Sequence, residues 1–261
     1  MQRKHFSNGD VTLSYLDVGG DGKPVIALHA YWMEAGTWTA LAGALAPKWR
    51  LIALDLRGHG HSDKPDDLSW DAFIGDLEAL LDHLGIVQPV ALIGNSLGGT
   101  VAFRFAARRP DSVAAMVIEE SPAVENANLD FMRAWAGVFP SREALAEAIG
   151  TRLLWSVEPS FRHVDGGWTL VFSATQLADA LPGLNGDFWD DWLATKHPVM
   201  LVRGTDSRAV NGELLSEMAR RRPATRLETL DAGHVTHHDA PAAFANLTRA
   251  FLADAANRVA P

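Results

Sequence analysis

Cysteine is absent from the 261 residues. That excludes disulfides, thiolate metal sites and a cysteine nucleophile, and it fits a reducing compartment. Basic charge is in short supply too: 23 Lys and Arg stand against 32 Asp and Glu, a formal net charge of −9. Binding to a phosphate backbone is therefore not expected, and no nucleic-acid partner is assigned. The longest basic piece, Arg220-Arg221-Arg222, precedes Pro223 at an expected helix end, where cations complement the dipole. No apolar run approaches the roughly 18 residues of a membrane span. Met1–Phe6 has no apolar stretch of signal-peptide type. The expectation is a cytoplasmic protein with no membrane partner.

What is present is a 48% apolar chain, enough for a sizeable core. Short β-branched or apolar runs read as buried parallel strands at Pro24–His29, Arg50–Asp55, Pro89–Ile93, Val113–Ile118 and Val199–Val202. Helical patterns lie between and after them at Trp70–Leu84, Leu97–Arg108, Glu213–Arg222 and Ala242–Leu252. Repeated strand-then-helix units predict an α/β fold, a parallel sheet with helices on both faces. Asp10–Leu16 alternates like an antiparallel edge strand. The alternation breaks between about Pro122 and Lys196, a stretch with helical pieces at Leu129–Val138 and Ser141–Leu154. It holds five of the nine tryptophans, and it reads as a cap over the carboxyl edge of the sheet.

The chemistry centres on Gly94-Asn95-Ser96-Leu97-Gly98, where an apolar strand ends and a helical pattern starts. A serine at the tip of such a turn is exposed, and small neighbours relieve the crowding. Ser96 is the candidate nucleophile. Its base is expected at His234, on the loop leaving the last strand, Leu227–Leu230; His237 and His238 compete on spacing. Two carboxylates at strand ends, Asp206 and Glu120, are candidate acids. The backbone N–H groups of Leu97 and Tyr31 are the expected oxyanion donors. Trp32, Trp135, Trp155 and Trp189 are candidate substrate-binding residues, with packing of the cap onto the body as the alternative for each. His59-Gly60-His61-Ser62-Asp63 carries metal-ligand types, but Lys64 stands where a last histidine would be needed, so no metal site is assigned.

Together these residues resemble the α/β-hydrolase superfamily, a match that runs over nearly the whole chain. Asp55-Leu56-Arg57-Gly58-His59-Gly60-His61-Ser62-Asp63-Lys64-Pro65 is similar to that family's loop after the fourth strand, which binds no metal. The resemblance implies a mostly parallel eight-stranded sheet, a core of residues 1–121 and 197–261, and a helical cap at 122–196 after the sixth strand. It points to Asp206 as acid, after the seventh strand and 28 residues before His234. Aligning backward from Arg222-Pro223 instead puts Ser207 at that position. Branches with the acid after the sixth strand map it onto Glu120. Ser96 excludes the branches with an aspartate nucleophile.

The expected activity is hydrolysis of a carboxylic ester or lactone through an acyl-enzyme on Ser96, as in an esterase or acyl-homoserine lactonase. No cofactor is called for, and the partner is a small-molecule substrate with an apolar part. A homodimer is compatible with the sequence. Perhydrolysis or carbon–carbon cleavage by the same triad are the rivals, and a non-hydrolytic ligand-binding member of the fold is a third.

Overall fold

Residues of the apolar runs alternate between the two faces of one sheet, and both faces are covered. The computed structural model describes residues 1–259 apart from Ala224. The first strands are β1 (Gln2–Asn8), β2 (Val11–Asp17), β3 (Lys23–Leu28), β4 (Trp49–Asp55), β5 (Val90–Asn95) and β6 (Val113–Glu119). Four short strands follow: β7 (Val124–Glu125), β8 (Phe161–Val164), β9 (Gly167–Leu170) and β10 (Gly186–Asp187). β11 (Val199–Gly204) and β12 (Thr225–Leu230) complete the set. The main sheet has eight strands in the order β1-β2-β4-β3-β5-β6-β11-β12. It is parallel from β4 to β12, with β1 and β2 antiparallel at one end.

Helices α1 (Thr39–Leu45), α2 (Trp70–His83) and α3 (Leu97–Arg108) connect the first strands. Between β6 and β11 lie α4 (Arg142–Ile149), α5 (Thr151–Val157), α6 (Ala174–Leu184) and α7 (Trp189–Leu193). The chain then forms α8 (Gly212–Arg221), the short α9 (Thr236–Asp239) and α10 (Pro241–Val259). In β3, Ile26 and Leu28 face one core with Phe73 and Leu77 of α2 and Val101 and Phe105 of α3. Val25 and Ala27 face a second core with Leu41 of α1 and Phe244 and Phe251 of α10. This is the period-2 signal of a doubly covered strand made visible. Each buried Leu, Ile or Phe contributes about 1.5–3 kcal/mol, so the two layers dominate the fold's stabilisation.

Three differences from the sequence reading have physical causes. β1 lies outside β2 and forms the true edge, so the Asp10–Leu16 run is the second strand and not the last. β1 has Phe6 as its one buried side chain, and so carries no apolar run to detect. The expected helix over Ser141–Leu154 is two helices, because Gly150 adopts φ +81° between them. The Leu129–Val138 piece is a 3₁₀ helix over Asp130–Trp135.

The loop after β4 is fastened by buried polar groups. Arg57 Nε and Nη2 each donate to the Asp76 carboxylate of α2 at 2.6 Å, and both side chains are buried. Asn8 Nδ2 also donates to Asp76, tying in β1. Removing one partner strands the other charge in a dry site. Asp76→Ala should therefore cost about 3–5 kcal/mol, read by urea titration, and a loss under about 1 kcal/mol would contradict this role.

Chain order places the functional edge. β3 is paired to β4 on one side and β5 on the other, so the loops leaving β3 and β5 diverge at a topological switch point. A crevice opens there at the carboxyl ends of the strands.

Candidate active site

Ser96 sits between β5 and α3 with φ +51° and ψ −117°, a strained conformation for a residue with a side chain. Among the described residues, the non-glycine residues with positive φ are Trp32 (+52°), Ser96 and Glu120 (+48°). Ser96 and Glu120 directly follow β5 and β6, and Trp32 lies on the loop after β3. Strain of about 1–3 kcal/mol per residue persists only where surrounding structure over-determines it.

The turn is made by close approach of backbone. A Cβ on Gly94 would lie 2.3 Å from the Gly98 carbonyl oxygen, and one on Gly98 would lie 2.2 Å from that of Leu28. Glycine at both positions lets the N-terminus of α3 press against the end of β3. The backbone N–H groups of Leu97, at the start of α3, and of Tyr31, on the loop after β3, belong to residues that line one cleft. Among the described residues, neither makes a hydrogen bond within the chain. Ser121 Oγ donates to the Ser96 carbonyl at 2.8 Å and lies 2.9 Å from Thr100 Oγ1, bracing the turn from behind.

The three C-terminal histidines separate cleanly. His234 is partly exposed, and its Nδ1 is 3.3 Å from Glu120 Oε2. Its carbonyl accepts from Asn95 Nδ2 at 3.1 Å, which ties the histidine loop to the residue before Ser96. His237 is buried and engaged at both ring nitrogens, with Glu119 Oε2 at 2.6 Å and Thr37 Oγ1 at 2.7 Å. It also stacks on Trp38 with centroids 3.9 Å apart. His238 is exposed and stacks on Trp155.

The carboxylate that meets His234 belongs to Glu120, the second of the two candidate acids, and Asp206 does not reach that ring. Glu120 is buried and accepts from Gly204 N at 2.8 Å and from Ser207 Oγ at 2.5 Å, besides facing His234. Asp206 is exposed on the turn after β11, and among the described residues its carboxylate makes no contact with His234. Ser207, the residue that backward alignment puts at the acid position, donates to the carboxylate supplied from β6 instead.

The cleft over Ser96 is lined by Tyr31, Trp70, Leu97, Glu125, Leu129 and Leu181, among others. Trp32, Trp135, Trp155 and Trp189 are not among its lining residues, and each has a packing partner elsewhere. Trp32 lies edge-on to Trp135 and donates from Nε1 to Ser156 Oγ at 3.2 Å. Trp135 is buried, Trp155 packs on His238, and Arg221 lies 3.9 Å over the Trp189 ring. These rings fasten the segment between β6 and β11 to the body. Trp70 and Glu125 escaped notice because neither sits in a motif; only the fold brings them over Ser96.

The histidines of the loop after β4 have structural partners. His29 lies beneath that loop: its Nδ1 is 2.7 Å from the Ala30 carbonyl, and its Nε2 accepts from Leu56 N at 3.0 Å. Burial pushes His59 down to about 3, and its Nδ1 lies 2.9 Å from the Arg57 carbonyl. His61 faces Arg162 instead, and among the described residues no group of three His, Asp or Glu side chains has the geometry to hold a metal ion.

With this geometry in hand, the sequence profile described as alpha/beta hydrolase fold matches residues 23–144. The esterase Rv0045c of Mycobacterium tuberculosis is 30% identical over 92% of this chain and 86% of its own length. The 2-(acetamidomethylene)succinate hydrolase of Mesorhizobium japonicum is 29% identical, covering 82% of each chain. The crystal structure of E-2-(acetamidomethylene)succinate hydrolase superposes with a TM-score of 0.84 at 24% identity, over 96% of this chain and 98% of that one. The chain belongs to the alpha/beta hydrolase fold family, and hydrolases and an esterase are among its relatives. No described helix is long and apolar enough to cross a membrane.

Proposed function

We propose that this protein is a serine hydrolase of carboxylic esters or lactones, with Ser96 as nucleophile, His234 as base and Glu120 as acid. The observation that carries the reading is the convergence of strain: Ser96 and Glu120 hold positive φ directly after β5 and β6, and Trp32 does so on the loop after the adjoining β3. Ser96 Oγ attacks the carbonyl carbon as His234 Nε2 takes its proton. Glu120 Oε2 accepts from His234 Nδ1–H, fixing the tautomer and stabilising the imidazolium. The Leu97 and Tyr31 N–H groups hold the developing oxyanion, at about 3 kcal/mol for each donor. His234 then protonates the departing alcohol and activates water to release the acid.

Residues 122–196 act in this reading as a cap, since Glu125, Leu129 and Leu181 of that stretch complete the cleft. Leucine walls suit a substrate with an apolar acyl or alcohol part. A fluorophosphonate probe tests the assignment. It should label Ser96 in the wild type, fail on Ser96→Ala, and react about 10²-fold or more slowly with His234→Ala. Labelling that is unchanged in His234→Ala overturns the reading.

A further inference from the structure

The polar inventory of the Ser96 cleft is short once satisfied groups are removed. Tyr31 donates its hydroxyl to the Leu177 carbonyl at 2.7 Å. Asn185 spends its side-chain amide on the Ala127 backbone, accepting at 2.9 Å and donating at 3.0 Å. Leu129, Leu181, Leu184 and Trp70 are apolar walls. Glu125 is left. Its Oε1 lies 3.4 Å from Thr100 Oγ1, a long contact from a hydroxyl already 2.9 Å from Ser121. Its Oε2 has no partner among the described residues. The side chain is half-buried, so water reaches that oxygen in the free cleft and a bound donor can take the water's place.

We propose that Glu125 determines specificity in this cleft, its carboxyl accepting a hydrogen bond from a hydroxyl or ammonium group of the substrate and disfavouring a substrate carboxylate. This rests on the hydrolase reading of the same cleft. Burial pushes the Glu125 carboxyl up to about 7, against weaker lowering by Thr100 and by His234 across the cleft. A bound ammonium or hydroxyl replaces the water on that oxygen, whereas a second carboxylate adds like charge beside it. Thr100 and Ser121 connect Glu125 to the carbonyl of Ser96, so the specificity group shares a brace with the nucleophile's turn.

Calorimetry on Ser96→Ala protein at pH 8 tests this by binding alone, so the outcome stands whether or not Ser96 turns esters over. The ligands are methyl hexanoate and its 6-hydroxy, 6-amino and 6-carboxy counterparts. The amino or the hydroxy ester should bind about tenfold or more tighter than the carboxy ester. Tighter binding by the amino ester alone identifies an ammonium as the recognised group; equal gains identify any donor. Adding Glu125→Gln should shrink the amino-to-carboxy ratio to under about threefold, and Glu125→Leu should leave methyl hexanoate the best ligand. Glutamine is isosteric, which keeps the test intact if the leucine variant fails to fold. A ranking that neither variant alters, a carboxy ester that binds best, or no binding by any of the four overturns the proposal. Absence of fluorophosphonate labelling at Ser96 would instead overturn the hydrolase reading.

Discussion

Replacing Glu120 by glutamine is expected to lower kcat by about 10³- to 10⁴-fold, with little change in KM. The amide still fits the buried site, but it presents an N–H where His234 Nδ1–H needs an acceptor. It can also no longer stabilise the imidazolium formed as Ser96 attacks. Asp206→Asn is the paired measurement and should leave kcat within about twofold, as for an exposed side chain that has no side-chain partner among the described residues. Steady-state kinetics on one activated ester suffices. Equal losses in both variants, or the larger loss in Asp206→Asn, would remove Glu120 from the proposed triad. Thermal melts of each variant separate this from a folding defect, because the Gly204 N–H and Ser207 Oγ that Glu120 holds also face the substitution.

Gly98→Ala is the second large effect. The added Cβ would meet the carbonyl oxygens of Leu28 at 2.2 Å and His29 at 2.7 Å, both backbone atoms of a central strand end and its loop. Neither can swing aside as a side chain would, so β3 and α3 must separate. The cost should be about 3 kcal/mol or more, read as a fall in Tm of about 6 °C or more. Activity should drop further than stability explains, because the same contact sets the spacing of the Tyr31 and Leu97 N–H groups. Gly43→Ala in α1 is the control: its Cβ meets nothing within 4 Å, and it should raise stability by about 0.5–1 kcal/mol. A melt of Gly98→Ala that matches the wild type would refute the packing argument.

Much of the fold is legible in the chain because buried parallel strands are nearly continuous apolar runs. β3 to β6 and β11 announce themselves so, and a glycine-flanked serine after β5 locates the candidate nucleophile. β1 is not legible: it is held by ladder hydrogen bonds along β2 and by polar side chains, Arg3, Lys4 and Asn8, that reach buried carboxylates, neither of which leaves an apolar run. The acid is ambiguous for a different reason. Spacing tells which residues follow a strand, and both Asp206 and Glu120 do. Only the left-handed turn at Glu120 aims that carboxylate inward, while the turn after β11 leaves Asp206 outside and brings Ser207 in. The tryptophans are ambiguous for a related reason. Enrichment marks a segment that must be fastened to something, and Trp32, Trp135 and Trp189 do the fastening, whereas Trp70 reaches the cleft from α2.

Glu119 and Glu120 are consecutive, and each grips a different histidine of one loop: Glu119 takes His237 and the Thr236 hydroxyl, Glu120 takes His234. The two grips work only in one frame. Losing or gaining a single residue at the end of β6 would offer each carboxylate to the wrong imidazole, whatever residue types were kept. The junction at Glu119 and Glu120 is thus a fixed point of the chain, since a shift of one residue there breaks both grips at once.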